Sequence, residues 1–288
     1  MLWRLEQLFP DDLQARLAEC PALVLPLGTI EWHSHHLPLG LDGLVAQAIS
    51  ERIADRLGAV LAPVSYWAAG GVPYPFTLNL PGGLIEPLLA AALEQFGAMG
   101  FRLVVMLTGH FGLEQTLVVK RSALNVMRRS PVLVLPLTEY DMVTEMYPGD
   151  HAGLGETSLL WAVAPALVRL RQLPADLALD GVQGPDPRAG ASPEHGQMLL
   201  EAIGARSSEV GERLLRRTSA LERTDYIEAL AAAVRVIEKT MDQRQLRPKR
   251  EVPPLLTPAY AAHCQALYAG DYRLARDRAE LKLSALEK

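Results

Sequence analysis

An α/β fold, three layers deep with a mostly parallel sheet between helices, is predicted by three features of this 288-residue sequence. Four short runs are almost continuously apolar, as strands covered on both faces must be. Helical patterns lie between them, so strand and helix alternate along the chain. Glycines or basic residues close several of those helical stretches, where a left-handed cap or a favourable charge is wanted.

The first strand is Ala22–Leu27 (ALVLPL) and the second is read at 59–64 (AVLAPV). Between them, residues 44–57 carry Val45, Ile49, Ile53 and Leu57 at helical spacing, with Gly58 as the stop. A helix over 84–99 ends at Gly100, and the third strand follows at 102–108 (RLVVMLT). A helix over 114–129 finishes on two arginines, and the fourth strand is 131–137 (PVLVLPL). Residues 157–170 form one more apolar helix. The glycine- and proline-rich stretch 180–193 is a loop, and helices are expected over 194–200 and about 207–241. Residues 243–257 hold Arg244, Arg247, Lys249, Arg250 and three prolines, the composition of a solvated connector. A last charged helix spans about 258–286, with Leu267, Leu274 and Leu281 at seven-residue spacing as a weak interface signal. The expected division is therefore a catalytic domain over 1–242, then a linker and helical C-terminal extension over 243–288.

Composition narrows the class. A net charge of −5 leaves no general basic field for nucleic acid or an anionic membrane. No apolar run approaches the roughly 18 residues of a spanning helix, and residues 1–12 lack the apolar stretch of a signal peptide. Two cysteines, Cys20 and Cys264, give neither a disulfide framework nor a CxxC pair, and both read as inert thiols. A cytoplasmic protein is expected.

The histidines carry the chemistry. Of seven, six fall at four places: His33, His35 and His36; His110; His151; and His195. His263 stands apart and reads as a surface or packing residue. Glu31, His33 and Asp42 follow the first strand, His110 follows the third, and strand C-terminal ends are where open α/β sheets place ligands. Glu31 and His33 are two apart, so in extended chain they point the same way. Asp42 is a natural bridging carboxylate after a loop that can fold back. Imidazoles mixed with carboxylates suit Zn²⁺, Mn²⁺ or Fe²⁺ better than Ca²⁺ or Mg²⁺. One histidine in a loop would mean little; histidines and acids after successive strands point to a metal site. Trp32 alternates to the opposite side and reads as packing rather than substrate stacking. His36 is expected to orient a carboxylate and His35 to face solvent or the pocket wall. Tyr74 and Phe76 are on the correct edge to line a pocket, and His195 fits a helix surface at least as well as a catalytic role. No GxGxxG or P-loop follows the first strand, which argues against a nucleotide-binding module.

The segment Gly28-Thr-Ile-Glu31-Trp-His33-Ser-His-His36-Leu-Pro-Leu-Gly-Leu-Asp42 resembles the signature of the creatininase (creatinine amidohydrolase) family. Thr108-Gly-His110, His151-Ala-Gly with Glu156-Thr-Ser, and Gly181–Gly184 through Glu194-His-Gly196 resemble its later elements, over about residues 18–240. The resemblance implies a metal-dependent amidohydrolase that cleaves a non-peptide or cyclic C–N bond with a metal-activated water. It implies Glu31, His33, Asp42 and His110 as ligands of two divalent ions (Zn, Mn or Fe), Asp42 bridging, with His151 as proton shuttle. In creatininase an aromatic residue and a ligating Glu follow the His that corresponds to His110; here Phe111 and Gly112 follow, so the second ion needs another carboxylate. Glu156 is the candidate, counted with His151 among the catalytic residues, and Glu114 is a weaker one because it suits the first turn of a helix. A small-molecule amide substrate and a homo-oligomer are implied as well. The rival expectation is a degenerate relative that binds metal in a structural or regulatory role.

Overall fold

The computed structural model describes residues 2–147, 149–174, 179–217, 219–246 and 257–287. Its five strands, β1 (Trp3–Arg4), β2 (Ala22–Leu27), β3 (Val60–Leu61), β4 (Leu103–Thr108) and β5 (Leu133–Thr138), all pair in parallel in the order β1-β3-β2-β4-β5. Every residue of β2, β4 and β5 is buried, as their unbroken apolar runs require. β1 was invisible in the sequence because a two-residue strand has no periodicity.

Helix α1 (Pro10–Glu19) links β1 to β2, and α2 (Leu41–Leu57), α3 (Gly82–Ala98), α4 (Leu113–Arg129) and α5 (Leu154–Val163) follow in turn. α2 packs on β2, α5 and α6 (Pro193–Arg217), whereas α4 packs on β5, α3 and α7 (Ala220–Leu246). After β2 the chain crosses over one way to β3, and after β4 it crosses the other way to β5. The strand order thus reverses between β2 and β4, and at such a switch point the two outgoing loops part to leave a crevice.

Several expected boundaries move. α2 begins at Leu41, so Asp42 opens a helix rather than ending a loop. The stretch read as 157–170 is α-helical only as far as Val163, in α5, which starts earlier; single 3-10 turns follow at Pro165–Leu167 and Leu170–Gln172. The two helices expected at 194–200 and 207–241 are instead α6 and α7; packing on α2 and α5 carries α6 straight through Gly204, Ser207 and Ser208. The final helix is two, α8 (Pro258–Ala269) and α9 (Tyr272–Leu286), divided at Gly270 in the left-handed region (φ 87°). The leucine heptad is broken with it: Leu267 is buried, while Leu274 and Leu281 are exposed. Of the expected connector, residues 247–256 lie outside those described. Among the described residues no helix is long and apolar enough to cross a membrane. Both cysteines are free, and burial pushes each thiol up, which keeps it protonated.

α9 lies along α7, and α8 reaches the core through Tyr268. The Lys120 ammonium donates to Asp141 Oδ2 at 2.6 Å and meets the Tyr268 hydroxyl at 3.1 Å, all three buried. Asp141 also accepts the Thr138 amide at 3.0 Å, so this ion pair ties the end of β5 to α4 and α8. Lys120→Ala strands a buried carboxylate and is expected to remove about 3–5 kcal/mol of stability, measured by urea unfolding.

Candidate metal centre

Register brings the loops after β2, β4 and β5 to one level, since Leu27 pairs with Thr108 and Thr108 with Thr138. Two glycines then admit the first turn of α2 onto the strand ends. A Cβ on Gly28 would lie 2.2 Å from the Gly43 nitrogen, and one on Gly109 would lie 2.2 Å from the Asp42 carbonyl oxygen. Only glycine fits at either place, and that close approach is what sets Asp42 between the two loops.

Glu31, His33, Asp42, His110 and Glu156 come together, each at most 5% exposed. His33 Nδ1 donates to the Glu31 carbonyl at 3.0 Å, which fixes the tautomer and turns Nε2 inward. There Nε2 lies 3.0 Å from Asp42 Oδ1 and 3.5 Å from Glu156 Oε2. On the other side, His110 Nδ1 lies 2.9 Å from Glu31 Oε2 and 3.3 Å from Asp42 Oδ2. Three three-residue groups result among the described residues, Glu31–Asp42–His110, His33–Asp42–Glu156 and Glu31–His33–His151, each with ligand atoms within 4.8 Å of one another; the first two share Asp42. Glu31 Oε2, both Asp42 oxygens and His33 Nε2 are buried with no conventional hydrogen-bond partner. Buried polar atoms left this way are uncommon, and a divalent cation on each side of Asp42 would satisfy them together.

The electrostatics say the same. Burial alone would lower the imidazoles, but Asp42 and Glu31 outweigh it and raise His33 to about 9 and His110 to about 10. Asp42 is pushed up by burial, yet the two imidazolium neighbours hold it well below the usual carboxylate range. Glu156 goes the other way: burial, then Asp150 and Asp42, push it well above. With Glu156 ionised as well, three carboxylates would face two imidazoliums.

Other contacts hold these groups in place. Glu31 Oε1 accepts the Val72 amide at 2.6 Å, so the loop after β3 is hooked to it. Glu156 sits in the first turn of α5, where Oε2 accepts the Ala152 amide at 2.6 Å; Ala152 adopts a left-handed backbone (φ 52°) to present it. Asp150 braces that turn by accepting the Gly155 and Glu156 amides at 2.7 and 3.1 Å and the Tyr147 hydroxyl at 2.5 Å.

His151 stands beside the cluster, its ring 4.5 Å from that of His33. Its Nε2 donates to the Trp32 carbonyl at 3.0 Å, leaving Nδ1 as the basic nitrogen. Burial, then the charge on His33, lowers it to about 4, so it is neutral at physiological pH. The late glycine loop arrives here too: His151 and Gln183 exchange backbone hydrogen bonds at 2.9 and 2.8 Å. A cavity of about 770 Å³ opens over this set, walled by the 69–73 loop, Phe111, Gly112, Glu114, Gly149, Gln183 and Gly184. A larger one, about 950 Å³, lies where β4 and β5 begin, among Phe101, Arg102 and Val132, and none of the five clustered residues lines it.

The remaining candidates separate. His35 is exposed, as expected. His36 bonds not to a carboxylate but to the Thr157 hydroxyl at 2.9 Å, across to α5. Glu114 accepts the Gly82 amide at 2.8 Å and joins none of the ligand groups. Trp32 is buried and stacked on Tyr74, their centroids 3.6 Å apart, so it packs rather than greets a substrate. Phe76 is 72% exposed and does not line the cavity. His195 meets the edge of Tyr147, and His263 is a packing residue that donates to the Ala275 carbonyl at 2.7 Å. Sequence reasoning passed over Glu139, which follows β5 and is wholly buried; a single acid after a strand looks like any loop residue.

His36 yields a pH expectation. Burial, then His33, lowers it to about 4, below its unfolded 6.5. The stability it contributes is whole above pH 6.5 and declines as pH falls toward 4, by about 2 kcal/mol at pH 5. His36→Gln, which keeps a partner for Thr157 but does not titrate, should show a shallower loss over that window in urea unfolding.

The family described as creatinine amidohydrolase matches residues 6–210. A creatinine amidohydrolase of Pseudomonas putida is 28% identical over 233 residues, 66% of this chain and 88% of that one. A mycofactocin precursor peptide peptidase of Mycobacterium tuberculosis is 30% identical over 164 residues, 52% of this chain and 61% of that one. Among solved structures, the Mn form of creatininase superposes with a TM-score of 0.61 at 25% identity, over 74% of this chain and 99% of that one. With the family pattern spanning most of its length and the fold shared, this chain belongs to the creatininase family.

Proposed function

We propose that this creatininase-family hydrolase cleaves the C–N bond of a small amide, cyclic or linear, with two divalent ions held on either side of Asp42. The observation that carries the reading is the division of Asp42: one carboxylate oxygen faces His33 and the other faces His110. Glu31 and His110 complete one ligand group, and His33 and Glu156 the other. Divalent ions there supply Lewis acidity, acidifying a water and polarising the scissile carbonyl. His151 takes a proton at Nδ1 and delivers it to the leaving nitrogen, since its Nε2 is engaged with Trp32 and its low basicity keeps it neutral between turnovers. The intact ligand groups support hydrolysis over a merely structural metal.

Zn and Mn are favoured, because creatininase structures include a Zn-Zn and a Mn form; Fe suits the same donors. The cavity, about 770 Å³ with glycine in several walls, admits more than a single small ring. In this reading residues 1–242 form the catalytic domain and 243–288 an extension that braces it through α8 and α9. The protein works in the cytoplasm as a homo-oligomer, without membrane or nucleic acid, consistent with its net charge of −5. The test is a screen of Zn- and Mn-loaded protein against creatinine, formamides, cyclic ureides and short peptides. Metal-dependent turnover of one class supports the reading; no turnover of any class, with metal bound, contradicts it.

A further inference from the structure

We propose that Glu139 is a further carboxylate of the metal centre, its charge matched by the ion that His33, Asp42 and Glu156 hold. Thr108 and Thr138 are register partners, so Glu139 stands level with Gly109, one residue before His110. Its amide donates to the Thr108 carbonyl at 3.1 Å, which fixes its backbone against the same strand end. The side chain is 0% exposed, and neither carboxylate oxygen has a hydrogen-bond partner.

The neighbouring acids make the contrast. Asp141 is met by Lys120, Tyr268 and the Thr138 amide, and Asp150 by two amides and two tyrosines. For Glu139, the charges that act most strongly are the acids Glu156, Asp42 and Asp150, opposed by His33. Burial and the neighbouring acids push Glu139 well above the usual carboxylate range, so it is ionised only with a cation beside it. Lys120, the buried cation beside the end of β5, is committed to Asp141 and Tyr268. Glu139 does not line the substrate cavity and belongs to none of the three-residue ligand groups, so it is placed to act on the ion rather than on substrate. It is a metal-positioning carboxylate, not a catalytic one.

This inference rests on the two-ion reading, and the experiment separates them. Full-length wild type, E139Q and E139M are stripped of metal and titrated calorimetrically with Zn²⁺, and thermal unfolding is followed with and without Zn²⁺. Wild type is expected to take two ions. E139Q is expected to bind one of them about 10–100-fold more weakly, the other unchanged. Zn²⁺ should raise the unfolding temperature of wild type more than that of E139Q, whose metal-free form is at least as stable as metal-free wild type. E139M, of similar volume, gives the same reading should E139Q fold poorly. Two ions bound equally tightly by wild type and variants, with equal thermal shifts, overturns the inference alone. A wild type that takes fewer than two contradicts the reading of the site.

Discussion

Asp42→Asn is expected to lose both ions' tight binding and on the order of 10⁴-fold in kcat/KM, about 5.5 kcal/mol of transition-state stabilisation. The substitution changes no volume, so the effect is chemical. Asp42 is shared by the two groups assigned to the ions, and its two oxygens lie 3.0 Å from His33 and 3.3 Å from His110. An amide offers one oxygen and an NH₂ that repels a cation, and can no longer bridge. Atomic absorption and steady-state kinetics check this; a variant with full metal content and activity contradicts it. Gly28 and Gly109 share the burden, because the approach of α2 that they permit holds Asp42 there.

His151→Ala is expected to do the reverse, keeping both ions while turnover falls roughly 10²–10⁴-fold, the usual contribution of a positioned general acid–base. His151 is half-buried at the cavity wall, bonded through Nε2 to a main-chain carbonyl and outside both Asp42-containing ligand groups. Added imidazole should restore part of the rate, since the vacated space opens to the cavity. Unchanged turnover would remove the proton-transfer role; loss of metal would make His151 a ligand instead, an outcome its ligand atom's position within 4.8 Å of Glu31 and His33 makes worth measuring. The two variants together separate holding the ions from moving the proton.

Much of this was legible because parallel strands announce themselves as apolar runs, and because Glu31, His33 and His110 sit directly after two of them. Asp42 was legible by spacing, though not its setting: the glycine and proline before it suggest a loop, and only the close approach at Gly28 and Gly109 shows why a helix begins at Leu41. His36 was misread because its partner, Thr157, is 121 residues away on α5. Long-range packing of that kind leaves no local pattern. The same holds for Tyr268, whose contact with Lys120 and Asp141 ties the C-terminal extension to the end of β5. Glu139 escaped because the acids that act on it, Asp42, Asp150 and Glu156, lie in two other segments of the chain.

The proposed two-ion centre is tested most directly by counting metal and locating it by anomalous diffraction from Zn-loaded crystals. Two peaks are expected per chain, one between Glu31, Asp42 and His110 and the other between His33, Asp42 and Glu156. A single peak, or none near Asp42 in protein saturated with Zn²⁺, would contradict it.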